Sequence, residues 1–174
     1  MGLDNMPHEY PCKRQGTAVI DKVVRTWEDD EGNAHSEDTY PIDCDKTIEA
    51  GGCPFTNADP PKEGRILGML GTYCWYRGKS GNGLVRALNG GGVDDVWDTG
   101  DDNFYGTDDE GLYRSPADCV ALADDMAAKL EAMGGKLLAK DHTGEKNDYT
   151  SEALYAIWYL RWVAKDCDGM DAWY

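Results

Sequence analysis

One segment near the end of the chain, residues 151–165 (SEALYAIWYLRWVAK), constrains the fold more than any other. Its aromatic residues recur at helical spacing and form a single stripe: Tyr155, Trp158, Tyr159 and Trp162. Ile157 and Leu160 lie on the opposite side of the same helix. Because a helix that is apolar on both sides must be buried, the rest of the chain is expected to pack around this one.

A second helix has the clearest boundaries in the sequence. Ser115 is a favourable N-cap, and Pro116 suits the first helical position. Apolar residues then recur at helical spacing until Gly134 and Gly135 end the pattern.

Residues 65–88 predict two shorter helices. Apolar residues at helical spacing favour a helix over 65–76, and a short helical piece is expected over 84–88. The glycines of segment 78–83 (GKSGNG) are expected to bend or break the chain between them.

The first part of the chain predicts β-structure. Residues 16–27 are rich in β-branched side chains and residues 35–44 alternate in polarity. The two runs therefore predict an antiparallel hairpin with an acidic tip at residues 28–31. Residues 1–15 contain two prolines and mixed charge, and are expected to form a poorly ordered lead-in.

Together these elements predict an α+β protein with a single domain over residues 16–174. An N-terminal antiparallel β-hairpin is followed by three to four helices packed around the buried aromatic helix near the C-terminus. Residues 136–139 are either a short strand or a final helical turn, and residues 170–174 end the chain as a strand. Residues 89–111 form a long acidic, glycine-rich loop, which Val96, Trp97, Phe104 and Tyr105 are expected to pin to the body.

The charge of the chain limits its function. It carries 33 acidic and 17 basic residues, a net charge of −16, and such a chain repels nucleic acid. The acidity either meets a basic partner or keeps the protein soluble, and a halophilic source is a third explanation. No run is long and apolar enough to span a membrane. The six cysteines lack a CxxC pair and no signal peptide is recognisable, so reduced thiols in the cytoplasm are expected.

The leading interpretation is a non-enzymatic interaction protein that engages a basic protein surface. Its partner-binding groups are eight carboxylates: Asp94, Asp95, Asp98, Asp101, Asp102, Asp108, Asp109 and Glu110. With the hairpin tip, these carboxylates are expected to imitate DNA phosphates and occupy a nucleic-acid-binding partner, as an inhibitor would. The excess of Tyr and Trp over Phe also favours an interaction protein, because Tyr and Trp dominate binding hot spots.

The composition of the chain resembles that of accessory proteins from phages and mobile elements. The shared properties are small size, strong acidity, few histidines and abundant glycine. The resemblance implies an inhibitor encoded by such an element, and it includes no motif from which a residue role is transferred.

A second interpretation is a protein that binds or sequesters a nucleotide or another small phosphorylated molecule. Its ligand-binding residues are basic and aromatic: Trp75, Tyr76, Arg77, Lys79 and Arg86. They would hold the ligand by charge and stacking, but the same bases are also suited to neutralising the neighbouring acids. The segment is not a Walker A motif, because Tyr73 occupies the position where that motif needs glycine.

Metal-binding and catalytic motifs are weak. An EF-hand frame that starts at Asp101 fails at Tyr105 and at Leu112. A zinc site would use four residues whose spacing matches no common zinc motif: His8, Cys12, Cys44 and Cys53. The three histidines accompany no known nucleophile motif. A metal-dependent hydrolase is therefore the third interpretation, and the leading one requires neither a metal nor a cofactor.

Overall fold

The computed structural model describes residues 4–56, 58–61, 67–70, 74–94, 103–105 and 112–173. Within these ranges the chain forms five helices and nine strands, and the strand pairs are antiparallel. The predicted α+β class is confirmed. In chain order the elements are β1 (Asp4–Pro7), α1 (Pro11–Arg14), β2 (Val23–Glu28), β3 (Ala34–Thr39), α2 (Cys44–Glu49), β4 (Met69–Leu70), β5 (Trp75–Arg77), α3 (Gly78–Leu88), β6 (Tyr113–Arg114), α4 (Pro116–Ala132), β7 (Leu138–Lys140), β8 (Lys146–Asp148), α5 (Thr150–Asp166) and β9 (Met170–Trp173).

The chain forms two compact units. The core unit comprises Met1–Glu9 and Asp59–Tyr174, and the hairpin unit comprises Tyr10–Ala58. A five-stranded sheet with the order β4-β5-β1-β9-β6 organises the core unit. Because β1 pairs directly with β9, the two ends of the chain meet in the middle of this sheet.

The inner face of the sheet packs against α5, the aromatic helix that the sequence predicts to be buried. Tyr155, Tyr159 and Leu160 are almost completely shielded from solvent, which confirms that prediction. The ring of Tyr76 on β5 contacts both tyrosines, with centroids 6.1 Å from Tyr155 and 5.2 Å from Tyr159. The hydroxyl of Tyr159 donates to the backbone oxygen of Cys74 (2.9 Å), so the polar end of this buried ring is satisfied.

Helix α4 begins and ends where the sequence predicts. The Oγ of Ser115 accepts a hydrogen bond from the backbone nitrogen of Asp118 (3.2 Å), and Pro116 occupies the first helical position. The chain leaves the helix through Gly134 and Gly135, whose φ angles of +77° and +75° favour glycine. Helix α4 then packs along α5, and α3 packs against both helices.

The predicted helix over 65–76 is wrong where the structure describes these residues. Met69–Leu70 and Trp75–Arg77 form the paired strands β4 and β5. The side chains along β5 alternate, so Tyr76 faces α5 while Trp75 and Arg77 face the other side of the sheet. The backbone hydrogen-bonding groups of β5 are satisfied by pairing with β1, although the local spacing of apolar residues predicts a helix.

The glycine-rich segment 78–83 is also not a break, because it forms the first half of α3. Two tertiary contacts explain why a helix is stable there. A Cβ at Gly81 would collide with the ring of Phe104, and a Cβ at Gly83 would collide with the backbone oxygen of Asp94. These close contacts need residues without side chains, and they outweigh the cost of about 1 kcal/mol for each helical glycine.

Residues 1–15 are predicted as a poorly ordered lead-in, but their described part includes β1 and α1. Strand β1 is the middle strand of the five and pairs with β5 on one side and β9 on the other. Its partners are far away in sequence, so no local signal indicates the pairing.

The hairpin unit confirms the predicted N-terminal hairpin. Strands β2 and β3 pair in a register that runs from Val23 opposite Thr39 to Glu28 opposite Ala34. Few side chains of this unit are buried, and in its described residues they are Pro11, Cys12, Thr47, Cys53 and Phe55. The unit therefore has a very small core.

Two leucines on α5 test the burial of this helix with the same substitution. Leu160 is fully buried, whereas Leu154 is 45% exposed. We expect Leu160→Ala to lower the free energy of unfolding by about 2 to 5 kcal/mol, because it removes core contacts and leaves a cavity. The matched control Leu154→Ala should change it by about 0.5 kcal/mol or less. Urea unfolding measures both, and equal effects would contradict the assigned orientation of α5.

Candidate functional site

Of the eight carboxylates predicted to bind a partner, the structure describes only Asp94. Its Oδ2 lies 3.5 Å from Nη1 of Arg86, so this carboxylate is paired within the core unit. The other seven lie outside the described residues: Asp95, Asp98, Asp101, Asp102, Asp108, Asp109 and Glu110. The partner-binding role of the acidic stretch, residues 94–110, remains a prediction.

The acidic stretch is attached to the core unit at residues 103–105. The ring of Phe104 is fully buried, with its centroid 4.9 Å from that of Tyr76. The backbone nitrogen of Phe104 also donates to Oδ1 of Asn82 on α3 (2.6 Å). Phe104 and its buried neighbour Tyr105 thus pin the stretch to the core, as the sequence predicts, whereas Val96 and Trp97 lie outside the described residues.

Arg114 holds the same short segment by its backbone carbonyls. Its Nε donates to the oxygen of Phe104 (3.1 Å), and its Nη2 donates to the oxygens of Asn103 and Tyr105 (3.3 Å to the latter). Desolvation lowers the pKa of this guanidinium below its ordinary value, and the carbonyl oxygens replace part of the lost hydration. Arg114 therefore determines where the acidic stretch joins the core unit.

The structure does not bring the five residues of the predicted phosphate site together. Tyr76 faces the core and is fully buried, whereas Trp75 and Arg77 face the other side of the sheet. Lys79 lies in the first turn of α3, and Arg86, near the end of that helix, pairs with the acidic stretch. Arg86 therefore neutralises an acid of the same chain, Asp94, as the alternative interpretation of these bases expects.

The four residues considered for zinc fall into different units. His8 belongs to the core unit, where its Nδ1 lies 3.0 Å from both carboxylate oxygens of Asp171. The three cysteines belong to the hairpin unit: Cys12, Cys44 and Cys53. Among the described residues, no group of three His, Cys, Asp or Glu side chains is arranged to hold a metal ion.

Sequence reasoning missed the pair of His8 and Asp171, because only the β1–β9 register brings these distant residues together. The carboxylate can orient the imidazole as it does in catalytic dyads. In the part of the chain that the structure describes, however, no hydroxyl or thiol forms a hydrogen bond with His8.

A surface hollow of about 540 Å³ in the core unit lies beside the start of α5. Its lining includes Lys136, Asp148 and Thr150. The carboxylate of Asp148 accepts hydrogen bonds from the backbone nitrogen (3.0 Å) and the hydroxyl (2.5 Å) of Thr150. An internal anion thus already occupies this helix N-terminus.

The hairpin unit contains the clearest exposed surface. We define the hairpin arm as residues 20–40, none of which is buried. The arm carries seven acidic residues and only two basic ones, Lys22 and Arg25. Its large apolar side chains are 44% to 63% exposed: Ile20, Val23, Val24, Trp27 and Tyr40. Apolar area and negative charge are therefore presented together.

The β2–β3 register shows how the arm displays these side chains. Trp27 and His35 are directly opposite and stack, with centroids 5.5 Å apart and planes 18° apart. Val23 shares the face of Trp27, whereas Val24 lies on the other face. A hollow of about 390 Å³ at this end of the arm is lined by Thr26, Trp27, Glu28, Ala34, His35 and Ser36.

Asp29 organises the tip of the arm. Its Oδ1 accepts from the backbone nitrogens of Glu31 (3.0 Å) and Asn33 (2.8 Å), and its Oδ2 accepts from Nε2 of His35 (2.8 Å). The hydrogen bond from His35, followed by those from Asn33, lowers the pKa of Asp29 to about 2. Asp29 is thus used within the turn, while the neighbouring acids Asp30 and Glu31 remain exposed.

Comparison of this chain with protein-family models, with curated proteins and with solved structures finds no match. Its function must therefore be inferred from its own residues. In the described ranges, no helix is both long enough and apolar enough to cross a membrane.

The contacts of Arg114 lead to a first prediction for this site. We expect Arg114→Met to lower the free energy of unfolding by about 2 to 3 kcal/mol, because it leaves buried carbonyls without a charged donor. Hydrogen exchange at the amide of Phe104 should accelerate. The matched control is Arg161→Met, because Arg161 forms an exposed ion pair with Asp124 (2.8 Å) and should contribute about 1 kcal/mol or less. Similar losses in both variants would contradict the anchoring role.

The hydrogen bonds of Asp29 predict how the arm responds to pH. On folding, the pKa of Asp29 falls from its ordinary 3.8 to about 2. The ionised carboxylate therefore stabilises the folded arm above pH 4, and this stabilisation is lost as the pH falls towards 2. Carboxyl NMR titration should give a midpoint near 2, and His35→Ala should raise it. A midpoint at the ordinary value in the unaltered chain would show that the turn does not hold this carboxylate.

Proposed function

We propose that this chain is a non-enzymatic binding protein whose hairpin arm engages a basic protein surface. The observation that carries the proposal is the arm itself, in which exposed apolar side chains and a net negative charge occur on one hairpin without a buried residue. The proposal places the protein in the cytoplasm, in line with six cysteines that include no CxxC pair.

The apolar side chains of the arm support binding rather than solubility alone. A surface that served only to keep the protein soluble would not need Trp27, Val24 and Tyr40 exposed among the acids. Trp and Tyr supply large contact areas and are enriched in binding hot spots. An isolated two-stranded hairpin is also only marginally stable, so a partner that covers it would stabilise its folded form.

The charge of the arm supports a basic partner. Seven acids against two bases give a negative field that attracts Lys- and Arg-rich surfaces and speeds their encounter. The open backbone edges of β2 and β3 also suit the addition of an extended segment from the partner. A nucleic-acid-binding protein would be such a partner, because its basic surface binds phosphates.

In its most specific form, the proposal is that the protein is an inhibitor encoded by a phage or mobile element, and that its carboxylates imitate DNA phosphates. The run of acids at residues 28–31 and the acidic stretch at 94–110 supply the charges. The net charge of −16 supports this form, because it disfavours direct contact with nucleic acid and favours contact with proteins that bind it.

Binding to a defined polycation tests the proposal. The probe is a fluorescent 20-residue arginine-rich peptide, and its Kd is measured by anisotropy at increasing NaCl concentrations. We expect Asp30→Asn with Glu31→Gln to weaken binding about tenfold at low salt and to reduce the salt dependence, because two exposed charges are lost. Trp27→Ala should weaken binding at every salt concentration.

The control removes the same charge from the core unit, with Glu131→Gln and Glu145→Gln, two exposed acids far from the arm in sequence. If both double variants weaken binding equally, the probe senses only net charge and the arm is not the site. A competition assay tests the inhibitor form, in which the chain should displace duplex DNA from protamine. Failure to displace DNA would contradict phosphate mimicry.

A further inference from the structure

The hairpin unit has a very small core in its described residues. It contains about 50 residues, yet only five of its described side chains are buried, and two of these are cysteines. Units this small usually need a disulfide, a metal or another staple in addition to apolar burial. The arm adds no buried residue, so any staple must lie at its base.

Hydrogen bonds hold two cysteine-bearing segments together at that base. The hydroxyl of Thr17 contacts the backbone oxygens of both Cys12 (3.3 Å) and Gly52 (2.6 Å), the residue before Cys53. The backbone nitrogen of Thr17 also donates to the oxygen of Cys12 (2.9 Å). A Cβ at Gly52 would lie 2.5 Å from the oxygen of Thr17, so the two segments are in direct contact.

The thiols of this unit are at least partly shielded from solvent. Cys12 and Cys53 are both buried, and Cys44, in the first turn of α2, is half-buried. Burial raises the pKa of Cys12, and the nearby thiol of Cys53 raises it further. Burial likewise raises the pKa of Cys44, with smaller contributions from Cys12 and Cys53.

We propose that Cys12 and Cys53 form a reversible disulfide that closes the base of the hairpin arm. In this structure Cys12 and Cys53 are both in the thiol form. A disulfide requires two sulfur atoms, whereas a structural zinc site would require a fourth ligand in addition to the three thiols. The link encloses the whole arm and α2, so it constrains the unfolded hairpin unit as well as the folded one.

The reaction needs an oxidant, and a small disulfide such as oxidised glutathione supplies it. The thiolate of one cysteine attacks the glutathione disulfide, which forms a mixed disulfide and releases one glutathione thiolate. The thiolate of the other cysteine then displaces the second glutathione. Cys12 and Cys53 together lose two protons and two electrons, and the oxidant becomes two molecules of reduced glutathione. Because burial disfavours the thiolate, the reaction should be slow at neutral pH and faster as the pH rises.

Oxidation of the full native chain tests the inference. Dilute protein is incubated with oxidised glutathione at pH 7.5 and 8.5, and intact mass and non-reducing peptide mapping identify the products. We expect loss of two of the six thiols, a single peptide pair linked through Cys12 and Cys53, and faster formation at pH 8.5. The melting temperature should rise, and dithiothreitol should reverse the change.

Variants separate the link from general cysteine chemistry. Cys12→Ser and Cys53→Ser should abolish the link, whereas Cys44→Ser, the matched control in the same unit, should retain it. Peptide mapping of the unaltered chain decides the question even if a variant fails to fold. A link through Cys44, a glutathione adduct without a link, or no reaction would overturn the inference. So would one zinc ion per chain that is lost in Cys12→Ser, since the thiols would then be metal ligands.

Discussion

The packing of α5 on the inner face of the five-stranded sheet is the contact on which the rest of the structure depends. Tyr76 from the sheet and Tyr155 and Tyr159 from the helix form one cluster of buried rings. Such a cluster stabilises the core by about 1.5 to 3 kcal/mol for each large buried side chain. The hydroxyl of Tyr159 also bonds the backbone of Cys74, which keeps the register of β5 against the helix. Desolvation raises the pKa of Tyr76 and of Tyr159, as expected for phenols that remain neutral.

The same core determines how the acidic stretch is attached. Phe104 packs against Tyr76 and against Gly81, and Arg114 holds the backbone on either side of it. Gly81 and Gly83 of α3 therefore serve in packing, although the glycine-rich composition of segment 78–83 predicts a break in the chain. This arrangement also shows why the basic residues near them are poor evidence for a phosphate site. Arg86 already meets Asp94, and Tyr76 is enclosed by the core.

The hairpin unit presents the opposite physical situation. Its arm has no buried side chain, its acids exceed its bases, and its tip is ordered mainly by the hydrogen bonds of one aspartate. A segment of this kind contributes little to a core, and its main physical properties are exposure, negative charge and apolar contact area. These properties are what a protein-binding surface needs, and they are the reason for assigning function to the arm rather than to the core.

The sequence by itself determined the elements whose signals are local. Helical spacing and capping residues located α4 and α5, β-branched runs located the hairpin, and the charge count disfavoured direct nucleic-acid binding. Tertiary structure alone decided that Met69–Leu70 and Trp75–Arg77 are strands, that 78–83 is helix, and that β1 lies in the middle of the sheet. It also brought His8 to Asp171 and the segment of Cys12 to that of Cys53. The physical reason is that strand pairing and close glycine contacts depend on partners far along the chain, which no local pattern specifies.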